Sequence, residues 1–189
     1  MQYLFMALFA AGIVAADQLT KYLTVSNIAS TVCHADPTAC AEHIRVLQEK
    51  FGVSAQAMAE LPSKAEGIPG LFRFSLVHNT GAAFSSFRGM QWLFTVVFIA
   101  FTVAIVWEFS KKRWPFSTFD RWCIAAIYAG GLGNMIDRLR LGFVVDMIET
   151  EFITFPVFNV ADCFITCGCI ALMVSLIFFN KEFWKDTKK

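Results

Sequence analysis

Nineteen consecutive residues, Gly89 to Trp107, carry no charge, and neither do the 18 from Cys163 to Asn180. A helix needs roughly 17–25 mainly apolar residues to cross the hydrocarbon core of a bilayer, so both runs are long enough. Two further runs qualify if their polar ends reach the interface. Tyr3 to Ala16 is uncharged and continues past Asp17 to about Val25. Trp122 to Ile136 contains Tyr128-Ala-Gly-Gly-Leu-Gly, small residues that let helices approach closely. The runs predict four transmembrane helices, at about residues 3–25, 89–108, 121–138 and 161–180, in one polytopic domain over residues 1–189.

The solvent is decided by composition. The chain is 57% hydrophobic and 16% charged, where a soluble domain carries about 25% charged residues. Its formal net charge of +1 leaves no basic surplus to neutralise phosphates, so no nucleic-acid partner is expected. Membrane lipids are the expected surroundings.

Orientation follows from Lys and Arg. Between the second and third runs lies KKRWPFSTFDR, with Lys111, Lys112, Arg113 and Arg121; after the fourth comes KEFWKDTKK. Short basic flanks stay in the cytoplasm, and Trp107, Trp114, Trp122 and Trp184 stand at the same level, as an interfacial belt would. Both termini are then cytoplasmic, and residues 26–88 and 139–160 face outward. The first run lacks a basic n-region and a closing A-x-A site, so it is read as a helix and not as a cleaved signal peptide.

Residues 26–70 differ in character. In ADPTACAEHIRVLQEKFG, Asp36 can cap a helix and Pro37 can open it, with Ile44, Leu47 and Phe51 on one face and Gly52 as the stop. VSAQAMAELP offers a second short turn between Ser54 and Pro62. The segment reads either as an amphipathic cap on the outer surface or as a solvated connector. Cys33 and Cys40 lie on it, either as a disulfide, which an extracytoplasmic compartment permits, or as two free thiols. Cys123, Cys163, Cys167 and Cys169 read as packing residues within helices. With no C-x-x-C and no ligand spacing among His34, His43 and His78, no metal site is expected.

Ionisable residues in or beside spans cost at least about 2.5–3.5 kcal/mol each on insertion scales, which makes them functional candidates. Here they gather at the outer ends. Asp17 and Lys21 end the first helix, Asn134, Asp137 and Arg138 end the third, and Asp146, Asn159 and Asp162 frame the start of the fourth. Structural readings stand beside the functional one. Asp17 and Lys21 are spaced for a helix-surface ion pair, Asp137 and Arg138 could be interfacial anchors, and Asn159 with Asp162 could cap the fourth helix. Asp146 has no such role, because FVVDMI is a strand-like stretch with no reason to hold an acid.

Two acids at a partly dry site share one proton, since like charges close together cannot both ionise easily. The ionised partner can deprotonate water while the protonated one polarises a carbonyl, which is general acid–base peptide hydrolysis. The 15 residues between Asp146 and Asp162 can return the first to the top of the fourth helix. A serine mechanism fares worse: Ser85 and Ser86 lie near His78, but no third member is evident. A proton-coupled carrier would place its acids near the midplane and show internal repeats. A four-helix thiol oxidoreductase would want cysteine pairs in both outer loops, yet residues 139–160 contain none.

DQLTK (Asp17 to Lys21), VHNTGAAFS (Val77 to Ser85), GGLGNMIDRL (Gly130 to Leu139), GFVVDMI (Gly142 to Ile148) and FNVADCFI (Phe158 to Ile165) together resemble the bacterial lipoprotein signal peptidase, or signal peptidase II, family. The resemblance covers about residues 3–25 and 71–180. It implies an aspartic endopeptidase of the bacterial cytoplasmic (inner) membrane, with its active site at the outer face. Its partners would be diacylglyceryl-modified prolipoproteins, cut just before the lipid-bearing cysteine; it would act without a cofactor, as a monomer. Asp146 and Asp162 would be catalytic; Asn79, Gly81, Asn134, Arg138 and Asn159, with Asp17 and Lys21, would bind substrate or support the site. The expected fold is an all-α integral membrane protein: a four-transmembrane-helix bundle with a small extracytoplasmic β element and an amphipathic helical insertion over residues 26–70. The β element is expected around LFRFSLVHNTGAAFS and the Asp146 segment, where Leu71, Arg73 and Ser75 alternate with Phe72, Phe74 and Leu76.

Overall fold

The computed structural model describes residues 1–28, 37–52, 61–81, 91–111 and 114–186. Within them, α1 (Gln2–Asn27), α3 (Gln91–Lys111), α4 (Thr118–Leu141) and α5 (Val160–Val174) form the bundle. A π-helical turn over Ser175–Phe179 extends α5, and α6 (Lys181–Asp186) follows. Two helical stretches, Gln2–Asn27 and Val160–Phe179, are long and apolar enough to cross a membrane, and α3 has a shorter apolar span, Trp92–Glu108. The helix faces turned away from the bundle are apolar, with Leu4, Phe5 and Leu8 on α1, Val96, Ile99 and Val103 on α3, and Ile170 and Met173 on α5 all exposed. A protein in water would break up so much apolar surface with charge.

The helix α4 is central, packing against α1, α3 and α5. Its start is fixed by a capping box, in which the Ser117 hydroxyl accepts from Asp120 N and the Asp120 carboxylate accepts from Ser117 N. It ends at Gly142, whose φ of 80° is the left-handed turn that glycine adopts without strain. Close approach between α4 and α5 depends on missing side chains. A Cβ on Gly130 would lie 2.5 Å from the Ala161 carbonyl oxygen and 2.8 Å from Ile165 Cγ1.

Above the bundle, β1 (Lys64–Ile68), β2 (Phe72–Asn79) and β3 (Val144–Thr150) form an antiparallel sheet in the order β1-β2-β3. Phe74 pairs with Ile148 and Val77 with Asp146, so β2 holds one residue more than β3 across that interval. This bulge breaks the alternation expected from sequence, and Ser75 and Leu76 are consecutive and both buried.

The helix α2 (Pro37–Phe51) completes the described structure. Leu47 is fully buried with Val25 and Ile28 from the end of α1, Leu141 from α4, and Leu76, Phe143, Val145 and Met147 from the sheet region. Ile44 and Phe51 pack against the same cluster, so the face expected to be apolar is the one turned inward. Cys33, the Asp36 cap and residues 53–60 of the second expected turn lie outside the described residues, and with them the Cys33–Cys40 pairing. Cys123, Cys163, Cys167 and Cys169 are free thiols.

Replacing Gly130 with Ala should destabilise the bundle by roughly 1–3 kcal/mol through overpacking. Gly12→Ala, where nothing lies within 4 Å of the new methyl, should not. Thermal unfolding of the two detergent-solubilised variants checks this.

Candidate active site

Asp146 occupies the third position of β3, between Val145 and Met147, and is only 2% exposed. Its cross-strand partner is Val77, so Asn79, two residues on and on the same face, reaches it diagonally. Asn79 Nδ2 donates to Asp146 Oδ2 at 2.9 Å, and Asn79 Oδ1 accepts from Gly81 N at 2.9 Å, which closes the turn after β2.

Asp162 arrives by a different route. Asn159 is the N-cap of α5 and Asp162 the third residue within, and together they form a capping box. Asn159 Oδ1 accepts from Asp162 N at 3.0 Å, and Asp162 Oδ2 accepts from Asn159 N at 3.1 Å. The capping role foreseen for this pair therefore holds, and each side chain also does something else. Asn159 Nδ2 donates to Asp146 Oδ1 at 2.7 Å, and Asn134 Nδ2 donates to Asp162 Oδ1 at 2.8 Å. Asn159 Nδ2 also meets Asn134 Oδ1 at 3.0 Å. The two acids are thus joined by a chain of two amides, of which the helix cap orients Asn159.

Asn134 is held from the other side by Lys21, whose Nζ donates to Asn134 Oδ1 at 3.0 Å. Lys21 is 2% exposed and pairs with Asp17 Oδ2 at 2.8 Å and Asp137 Oδ2 at 2.9 Å. Its three ammonium hydrogens therefore have three acceptors. A helix-surface ion pair is the wrong description of Asp17 and Lys21: both are buried, because Asp137 of α4 supplies the second carboxylate that makes burial of the ammonium tolerable. Asp17 Oδ1 also accepts from Ala161 N at 3.0 Å, at the start of α5, and Asp137 Oδ2 accepts from Val145 N at 3.1 Å, on β3. Gly133 leaves room for this arrangement, since a Cβ there would come within 2.6 Å of Asp17 Oδ2.

Arg138 is half-buried on the same turn of α4. Nη2 donates to Gly81 O at 3.3 Å, the guanidinium lies 4.5 Å from the Phe94 ring centroid, and Asp146, Asp162 and Asp137 are its charged neighbours. Gln18 joins the cluster without having been singled out in the sequence, its Nε2 donating to Asp137 Oδ1 at 2.9 Å. Asp137 had a signal: it lies three residues from Asn134, on one helix face. Gln18 had none. Among the described residues, no group of three or more His, Cys, Asp or Glu comes together to hold a metal ion.

Burial first, and then the nearby charge of Asp162, push the Asp146 carboxyl up to about 7, against the opposing hydrogen bonds of Asn79 and Asn159. The site therefore holds two neighbouring carboxyl groups, with Asp146 held toward its protonated form, amide donors on both and a guanidinium alongside. Such a pair can donate a proton and accept one within the same reaction.

Lys21→Met would leave Asp17 and Asp137 buried without their cation. The expected loss is about 3–5 kcal/mol of stability, read as a lower unfolding midpoint in detergent.

The sequence model of the signal peptidase (SPase) II family matches residues 9–178. The lipoprotein signal peptidase of Streptococcus agalactiae serotype Ia is 44% identical over 127 residues, which is 67% of this chain and 77% of that one. The lipoprotein signal peptidase of Enterococcus faecalis is 33% identical over 174 residues, 92% of this chain and 88% of that one. A bacterial membrane enzyme solved by the in meso method at 1.9 Å resolution shares the fold with a TM-score of 0.68 and 28% identity, over 93% of this chain and 94% of that one. The family match takes in every element that carries the joined aspartates and asparagines, and the chain belongs to the signal peptidase II family.

Proposed function

We propose that this protein removes signal peptides from diacylglyceryl-modified prolipoproteins, cutting just before the lipidated cysteine, as an aspartic endopeptidase whose catalytic groups are Asp146 and Asp162. The observation that carries the reading is the amide chain from Asp146 through Asn159 and Asn134 to Asp162. It holds two acids of unequal burial in one site, Asp146 closed off and Asp162 half-open.

The inequality supports the following division of roles. Asp146 holds the shared proton and donates a hydrogen bond to the scissile carbonyl oxygen. Asp162 takes a proton from water as the water oxygen bonds to the carbonyl carbon, and Asp146 gives its proton to the carbonyl oxygen, leaving a neutral gem-diol. Asp162 then protonates the amide nitrogen while Asp146 recovers a proton from one hydroxyl. The C–N bond breaks, giving a carboxylic acid and an amine, and water is the only co-reactant. Asn159 and Asn134 hold the carboxylates in place, and Arg138 and the Gly81 turn receive the substrate backbone.

Four spans, cytoplasmic termini and a site at the outer face of the cytoplasmic membrane fit the basic flanks at Lys111 and Lys181, which lie at the opposite end of the helices from the acids. The signal helix approaches from the lipid and lies against the bundle. All the groups come from one chain, so a monomer suffices.

Asp146→Asn and Asp162→Asn should each lower cleavage of a synthetic lipidated prolipoprotein by about 100-fold or more while leaving expression intact. Near-normal turnover by either folded variant, in detergent, would remove it from the catalytic role. An unlipidated substrate should not be cut.

The pH profile should follow the shared proton. The folded protein keeps a proton on Asp146 up to about pH 7, whereas the unfolded carboxyl releases it near 3.8. That burial costs stability progressively as pH rises between these values. Activity should fall as pH rises past about 7 and the last proton of the pair leaves. Asn79→Ala withdraws a hydrogen bond that favours the charged form, so its alkaline limb should move to higher pH.

A further inference from the structure

At the basic-flanked end of the bundle, opposite the two acids, lies a cavity of about 250 Å³. Phe101 and Ile105 of α3, Trp114 and Phe116 of the following loop, Ile124 of α4 and Leu172 of α5 form much of its wall. Two charged residues reach it. Arg121 donates to the Tyr3 hydroxyl at 3.1 Å. Glu108 accepts from Trp114 N at 3.0 Å through Oε1, but its Oε2 is shut off from solvent and, among the described residues, has no hydrogen-bond partner. A desolvated carboxylate oxygen with nothing to accept from costs free energy that a cationic ligand would recover.

The cavity's height in the bundle matters as much as its chemistry. Arg121 at the cavity and Asn134 at the acids are 13 residues apart on α4, about 20 Å along the helix axis. A secretory signal peptide has a positively charged n-region followed by an apolar stretch of roughly 7–15 residues. As a helix, that stretch is about 10–22 Å long. A signal helix whose apolar stretch is near the long end of that range, with its cleavage point at the acids, sets its n-region level with Glu108.

Resting on the peptidase reading above, we propose that this cavity is the subsite for a lysine or arginine of the signal peptide's n-region, with Glu108 as its counter-charge. The methylene stem of such a side chain lies along the apolar wall and its head comes under Trp114 and Phe116, where aromatic faces attract cations. The head then donates to Glu108 Oε2. The occupant is polar at its tip and apolar along its length, as the cavity is. Recognition at both ends sets the register of the signal helix across the bundle, and with it the bond presented to the acids.

The test uses the purified full chain in nanodiscs and two lipidated prolipoprotein substrates that differ only in their n-region, one with lysines and one with glutamines. Wild type should cut the lysine substrate with about tenfold higher kcat/KM, a difference carried by KM, as one charge-assisted hydrogen bond would give. Glu108→Gln should bring the ratio of the two substrates to about one, and Glu108→Lys should favour a third substrate with glutamates in the n-region. A wild-type ratio of one, or a ratio unchanged by Glu108→Gln, would overturn the inference and leave the peptidase reading standing. So would a ratio that follows the lipid headgroup and is lost in Arg121→Gln alone, which would assign the cavity to a phospholipid. Cleavage of no lipidated substrate by wild type would overturn both readings together.

Discussion

A single buried ammonium organises the end of the bundle that carries the two acids. Lys21 sits between Asp17 and Asp137 and donates its remaining hydrogen to Asn134. A charged group at 2% exposure is tolerable only when every hydrogen has an acceptor and the net charge nearby is balanced. Each acceptor, once engaged, also has a second duty. Asp17 receives the first turn of α5 through Ala161 N, Asp137 receives β3 through Val145 N, and Asn134 reaches Asp162. The ammonium thus fixes how α1, α4, α5 and the sheet meet, and it does so without touching either candidate catalytic acid.

That separation has a chemical use. A cation in contact with either acid would hold it ionised and prevent the pair from sharing a proton. Lys21 touches neither: Asn134 carries its orienting effect to Asp162, and its charge reaches Asp146 only from a distance, where burial and Asp162 outweigh it. The cation nearest the open side is Arg138, whose planar donors already lie against a backbone carbonyl, that of Gly81. A neutral amide chain between the acids and full cations behind it give geometric order without neutralising the carboxylates.

Much of this was legible in the sequence, for identifiable reasons. Acids that end apolar runs stand out because each is costly there, and their common end of the chain's helices follows from the basic flanks alone. Asp146 was conspicuous within FVVDMI because a strand core has no local use for a carboxylate. A small β element around β2 and the Asp146 segment was expected from the resemblance, with alternation fitting a strand, but β1, which lies inside the stretch expected to be a helical insertion, and the bulge were not. An extra residue between Phe74 and Val77 changes which face of β2 meets Asp146, and alternation cannot register it when both neighbours are buried. The burial of Asp17 and Lys21 was equally hidden. An i, i+4 pair reads the same on a surface as inside a bundle, and only Asp137, from another helix, decides between them. Gln18 was invisible because its contribution is a contact made across two helices and has no local pattern.

The start of α5 serves two ends at once. The carboxylate oxygen that accepts from Asn159 N closes the helix, while its twin faces the site, and the Asn159 amide divides its two poles in the same way. Helix nucleation and site assembly are consequently one event. Fraying of that first turn releases Asp162 from the backbone and Asn159 from Asp146 together, so the protein has no state in which α5 is frayed and the pair is still aligned. Loss of that first turn on heating and loss of the aligned pair should therefore coincide. Heat tolerance of function in this chain rests on the turn from Asn159 to Phe164 together with Asp17, which holds it through Ala161 N.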